Sequence, residues 1–301
     1  KRRTSMPRSK VQSLRDCPCL SQAIRTVYNR RKRGKADGDN WLIAMDHIKK
    51  ILGDIPVNEI TTQSVNQIVD ALQIRPYHNS NKTINKKVSA LKVLLMDMED
   101  DGHLNLIKLP RRLKEEKGRI HFLTEEMEDD LLNTFLSWKL YVHHDFVKCL
   151  IDLGCRRGEL LGLQKMYIDF QLNQITFARR KCDNPVSVPM TDTVQQILRP
   201  YYLRCKPADK LFPYSEDWIT KTWNKVRDYL GFAETKWYVP HICRHTCATR
   251  LVQRGVELGI VRDWLGHSNI SMTCQYAHFA PKQLHGAVHV LNVKKTTSIV
   301  A

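Results

Sequence analysis

From about Leu20 to Leu109, apolar residues recur mostly at spacings of three and four: Ile24, Val27 and Tyr28, then Trp41, Ile43, Ala44, Ile48 and Ile51, then Val65, Ile68, Val69 and Leu72. This period turns one side of each segment toward a core and predicts several short amphipathic helices. Asn81 to Met98 adds another, with Ile84, Val88, Leu91, Val93, Leu94 and Leu95 on a broad apolar side and Lys82, Lys86, Lys87 and Lys92 around it. A small helical bundle is expected. Pro110, Arg111, Arg112 and Lys114 to Arg119 then carry many charges and almost no apolar residues, the composition of an exposed connector.

Thr124 opens a second domain as a good N-cap, with Glu125 and Glu126 where the helix dipole favours acids. Between about Gln164 and Pro189 the period changes to two. Ile175 and Phe177 alternate with Thr176 and Ala178, Asp183 and Asn184 supply turn chemistry, and Val186 and Val188 resume the alternation, so a β-hairpin is expected. After Thr191 the pattern is helical again through Trp218, Trp223, Val226 and Tyr229, and Pro240 suits a further helix start. The expected fold is mainly α with a small β-hairpin or sheet (α+β). It is divided into a basic tail 1–17, a helical domain 18–110, a linker 111–122, a second domain 123–290 and a tail 291–301.

A length of 301 residues suits two such domains, each able to bury its own core. Charge changes the picture more. Lys and Arg number 48 against 31 Asp and Glu, a net +17, and residues 1–36 hold 12 basic residues against only Asp16. A polyanionic partner, nucleic acid first, is the implication. The longest apolar runs are short core-type segments such as Val93 to Met96, with no charged-then-apolar leader, so a cytoplasmic protein is expected. Nine cysteines stand without Cys-x-x-Cys pairs, which reads as reduced, mostly buried thiols. His241, Cys243, His245 and Cys247 alternate along one helix and so point to different faces; no metal site is expected there.

Four segments of the second domain present polar groups that local structure can aim. In Gly154-Cys155-Arg156-Arg157-Gly158-Glu159, one helix ends at Gly154 and another follows, so Arg156 sits in a turn where free N–H groups and a guanidinium can meet phosphate. Lys181 stands at the hairpin tip with Arg179 and Arg180 alongside; an edge lysine or a phosphate contact is the ordinary reading of such a position. In His241-Ile242-Cys243-Arg244-His245-Thr246, positions 241 and 244 are neighbours on one helical face, and His245 reads as part of an exposed polar stripe. Leu265-Gly266-His267-Ser268 ends a helix at Gly266 and offers Ser268 as the next cap, leaving His267 in an exposed bend nine residues before Tyr276.

In order and spacing, this set resembles the tyrosine recombinase (phage integrase) family, and Met272 to Ala280, with Tyr276-Ala277-His278, is similar to phage integrases in particular. The resemblance runs strongly from about Leu123 to Val290; over residues 20–109 it rests on size, basic helices and position. Cys155 and Cys243 depart from the family's leucine-like residues but keep compact apolar side chains. The resemblance implies a helical core-site DNA-binding domain and a catalytic domain closing as a C-shaped clamp on double-stranded DNA, with no metal or cofactor. It implies strand cleavage by Tyr276 to a 3′-phosphotyrosyl link, and rejoining by a partner 5′-hydroxyl. Arg156 and Arg244 would neutralise the transition state, Lys181 protonate the leaving oxygen, His241 assist proton transfer or hold a phosphate oxygen, and His267 donate to a non-bridging oxygen. A cationic neighbourhood would favour the ionised phenol.

Arg25, Lys82, Lys86, Lys87, Arg179 and Arg180 are the candidate DNA contacts. Four cleavages imply a homotetramer on DNA, with DNA-bending or directionality proteins as further partners, in a bacterial host cytoplasm. Leu284, Val288, Val290 and Leu291 form an apolar stripe suited either to a neighbouring subunit or to the chain's own domain. Two other readings use the same residues: a type IB topoisomerase, against which the His267-to-Tyr276 spacing argues, and a DNA-binding regulator that kept the fold without the chemistry. All six reactive positions being filled argues against the second.

Overall fold

The computed structural model describes residues 17–35, 37–105, 107–115, 118–177 and 185–281. The chain divides into two compact units, 1–118 and 119–301. Among the described residues the first unit holds α1 (Leu20–Val27), α2 (Gly38–Leu52), α3 (Thr62–Gln73) and α4 (Asn81–Asp100). Side-chain oxygens of Thr61 and Ser80 accept from the N–H groups of Ser64 and Thr83, which satisfies free donors at the starts of α3 and α4. Apolar faces meet in one cluster, and Trp41 crosses it to donate from Nε1 to Ala90 O at 3.0 Å. Asp97, fully buried on α4, is held by the guanidiniums of Arg30 and Arg31.

Of the four candidate DNA contacts here, Arg25, Lys82 and Lys86 are exposed, but Lys87 is not. Its Nζ lies 2.7 Å from His47 Nδ1 and 5.5 Å from the centroid of the Tyr77 ring. Lys87 follows Ile84 by three positions and precedes Leu91 by four, both fully buried, so it stands on the core side of α4 rather than on its basic rim. Lys87 is therefore removed from the groove-facing set.

The second unit carries α5 (Glu125–Ser137), α6 (Tyr141–Leu153), α7 (Arg157–Leu161), a sheet of β1 (Ile168–Asp169), β2 (Gln174–Phe177) and β3 (Val186–Pro189), then α8 (Asp192–Arg204), α9 (Glu216–Tyr229), α10 (Ile242–Gln253) and α11 (Leu258–Leu265). Short 3-10 turns at Ile270–Met272 and Cys274–Phe279 follow. The sheet is antiparallel in the order β1-β2-β3, with Ile175 opposite both Ile168 and Val188. The hairpin alternation is present, with Ile175 and Phe177 buried; the two-residue β1 adds an edge strand that no period announces. Residues 178–184, with Arg179, Arg180 and Lys181, and the stripe from Leu284 to Leu291 lie outside the described residues. No described helix is long and apolar enough to cross a membrane.

Helix α10 is the axis of this unit. Cys243, Thr246, Cys247, Ala248, Thr249 and Val252 are all buried, so it is enclosed on most sides and packs on α6 and on the turn at 274–279. Thr246 Oγ1 accepts from Leu123 N–H and donates to Ile242 O, both at 2.9 Å, so a polar group inside the helix packing is satisfied. Gly154 ends α6 in the left-handed region (φ 62°), and a Cβ there would stand 2.8 Å from Cys247 Sγ. Gly154→Ala is expected to cost roughly 1–3 kcal/mol through backbone strain and overpacking together, read as a lower denaturant midpoint with an unchanged slope.

Candidate active site

Helix ends leave carbonyl groups without partners and carry partial negative charge. Two such ends, α6 closing at Gly154 and α11 closing at Gly266 (φ 59°), converge on one cation. Arg244, on the first turn of α10 and only 3% exposed, donates from Nη1 to Gly154 O (2.8 Å) and from Nη2 to Leu265 O (2.7 Å). The turn bearing Arg156 and the turn bearing His267 are thereby tied to the same side chain. Two of the guanidinium's five N–H groups are used in these bonds. Burial, then the charge of Arg156, lowers its pKa to about 10, which leaves it cationic at neutral pH.

Arg156 is the N-cap of α7, and Glu159 grips it twice. Glu159 accepts from the backbone N–H at 2.7 Å and from Nη1 at 2.8 Å, a capping arrangement that also aims the guanidinium. His241, at the start of α10, is exposed on its outer side. Its pKa is lowered by partial burial and then by the guanidiniums of Arg244 and Arg156, so these three groups share one electrostatic neighbourhood. The charge of Arg156 also bears on Arg244, so the two guanidiniums stand near one another.

His267 and Tyr276 stand differently from their sequence expectation. His267 is buried, not in an exposed bend: its Nδ1 is hydrogen-bonded to the fully buried Thr273 Oγ1 at 2.9 Å. The cap of the following turn is Asn269, whose side chain accepts from Ser271 N–H, rather than Ser268. Tyr276 is 1% exposed, in a small apolar cluster with Ala248, Val252, Val261 and Leu265. Burial pushes its phenol up to about 12 against the opposing pull of Arg244, so desolvation outweighs the cation and the phenol is neutral at rest.

The group that sequence reasoning missed is His245. Its Nδ1 lies 2.7 Å from Tyr276 Oη, and its ring meets His241 edge-on with centroids 5.0 Å apart. Burial first, then His241, Arg244 and His121, lower its pKa to about 4, so it is a neutral imidazole at physiological pH. The one signal available was its place four residues after His241, on the same helical face. Glu159, at the third position of a capping box, was legible in the same way. Among the described residues no three His, Cys, Asp or Glu side chains are grouped to hold a metal ion.

These shifts fix a pH dependence. Because the folded-state pKa of His245 is depressed from 6.5 to about 4, the unfolded chain takes up a proton first as pH falls. Stability present above about pH 6.5 is then lost down to about pH 4, by at most about 3.5 kcal/mol at roughly 1.4 kcal/mol per pH unit. His47, His143 and His241 are shifted in the same direction and add to the loss. Denaturant unfolding of the His245→Asn variant across this window is expected to show a shallower acid slope than the parent.

The chain matches the Phage integrase family over residues 121–283. It is 31% identical over 219 residues to the tyrosine recombinase XerD of Neisseria meningitidis serogroup A, covering 67% of this chain and 74% of that protein. With a tyrosine recombinase of Pseudothermotoga lettingae it shares 27% identity over 255 residues, 80% of this chain and 86% of the relative. Its fold is similar to the Tn1549 transposon integrase in complex with a circular intermediate DNA, with TM-score 0.73 and 20% identity over 90% of this chain and 98% of the other. The family match covers more than half of the chain and takes in every described motif of the site, from Gly154 to Tyr276. The chain belongs to the phage integrase family of tyrosine recombinases, enzymes of site-specific DNA recombination.

Proposed function

We propose that this recombinase integrates and excises a mobile DNA element, cutting each strand through a covalent bond from Tyr276 to a 3′-phosphate. The observation that carries this reading is the coupling around α10: Arg244 joins the turns of Arg156 and His267, while the residue beside it contacts Tyr276 Oη. A phosphodiester repels nucleophiles, and cleavage requires that charge on the pentavalent phosphorus be met by fixed donors. Arg156, which is exposed, receives the phosphate from solvent; Arg244, which is buried, adds donors that need no reorganisation when the charge develops. His241 and His267 orient non-bridging oxygens, and Lys181 protonates the departing 5′-oxygen. The guanidiniums supply the positive charge that a metal ion would otherwise provide.

The phosphotyrosyl bond conserves the energy of the broken linkage, so a partner 5′-hydroxyl attacks the same phosphorus without ATP. Two duplexes need four such cuts, and one tyrosine per chain then requires four chains on the paired sites, with bending or directionality proteins selecting the outcome. Arg25, Lys82 and Lys86, all exposed, together with Arg179 and Arg180, contact the DNA backbone, and the reaction takes place in the bacterial cytoplasm.

The test uses end-labelled duplexes carrying the repeats that flank the gene, nicked so that the short released strand diffuses away. A covalent protein–DNA adduct is expected, formed equally in a chelator and absent from Tyr276→Phe. An adduct that persists in Tyr276→Phe overturns the nucleophile assignment; one abolished by chelation overturns the metal-free mechanism.

A further inference from the structure

The family resemblance directs proton transfer to His241, yet the imidazole in contact with the phenol is a different one. Tyr276 Oη lies 2.7 Å from His245 Nδ1, across 31 residues of sequence, within one chain. The rest of the ring is held by the apolar cluster on α10 and α11, so His245 fixes where the hydroxyl points. We propose that His245 seats the Tyr276 phenol in the site of its own chain and takes the phenolic proton as the bond to phosphorus forms. This rests on the reading of Tyr276 as nucleophile.

The bookkeeping of the step closes. As the Oη–P bond forms and the P–O5′ bond breaks, the phenolic proton passes to Nδ1 and the departing 5′-oxygen takes a proton from its own donor, Lys181. On rejoining, the attacking 5′-hydroxyl returns its proton to that donor as the O5′–P bond forms, and the imidazolium returns its proton to the tyrosine oxygen as the Oη–P bond breaks. For Nδ1 to accept, the neutral ring carries its proton on Nε2; burial, then His241 and Arg244 on α10 and His121 from the segment before α5, keep the ring neutral. Burial, and after it those same groups, make the imidazolium costly in the free protein. A phosphate seated on Arg244 and Arg156 brings a negative charge that offsets them, so proton transfer becomes favourable when DNA is in place and is suppressed when it is not. A buried neutral phenol beside a half-buried neutral imidazole is the resting state such coupling requires.

The nicked duplex described above provides the test, with the full chain, single-turnover adduct formation at saturating protein, and DNA affinity measured in parallel. His245→Asn offers a hydrogen-bond acceptor near the place of Nδ1 but cannot hold a proton; His245→Ala removes both. Both variants are expected to bind DNA within about twofold of the parent and to form adduct on the order of 10²- to 10⁴-fold more slowly at neutral pH. Parent rates should be flat between about pH 6 and 9, whereas variant rates should climb about tenfold per pH unit as hydroxide replaces the lost acceptor. Added imidazole should restore part of the rate of His245→Ala, which only a folded site permits. An Asn variant with the parent's rate and flat profile overturns the proposal. So does an Ala variant that is slow but neither pH-dependent nor rescued by imidazole. Failure of the parent itself to form an adduct, or an adduct on Tyr276→Phe, would instead strike the reading of Tyr276.

Discussion

One guanidinium, that of Arg244, donates to the carbonyls of Gly154 and Leu265, and the arrangement of the second unit's site depends on it. The two carbonyls lie at the C-terminal ends of α6 and α11, where unsatisfied acceptors and the helix dipole both favour a cation. Because both ends close through a left-handed glycine, the chain turns sharply just past the guanidinium and brings Arg156 and His267 back toward it. One buried charge thus satisfies the ends of two helices. Its burial is tolerated because carbonyl oxygens replace water around it.

The same burial sets the electrostatics of everything nearby. Burial, then the guanidiniums of Arg244 and Arg156 at His241 and the neighbouring His241 and Arg244 at His245, keep both imidazoles from binding protons, and desolvation keeps the Tyr276 phenol from losing one. The free site holds a neutral phenol against a neutral imidazole, close to the cation of Arg244.

Much of this was legible in the sequence, for reasons that differ by residue. The helices of the first unit and the alternation of Ile175 and Phe177 were legible because side-chain period is a local property. The order of Arg156, His241, Arg244, His267 and Tyr276 was legible because each sits in a turn or helix start that its neighbours announce. Lys87 was misread by composition although its spacing to Ile84 and Leu91 placed it on the buried face. His267 was misread because its cover comes from Thr273, which lies between two short 3-10 turns that have no period to detect. The bond between His245 and Tyr276, and the reach of Arg244 to two distant carbonyls, join segments far apart in the chain and exist only once α6, α10 and α11 are packed.

Arg244→Lys tests the central claim most directly, since it keeps the charge and removes the fork. A single ammonium cannot reproduce the planar fork that spans both carbonyls, leaving a buried acceptor unmet at a cost of roughly 1–3 kcal/mol. Denaturant unfolding measured beside adduct formation on the nicked duplex should show that loss of stability together with loss of cleavage, while DNA binding persists. A lysine variant as stable as the parent and equally able to cleave would contradict the account.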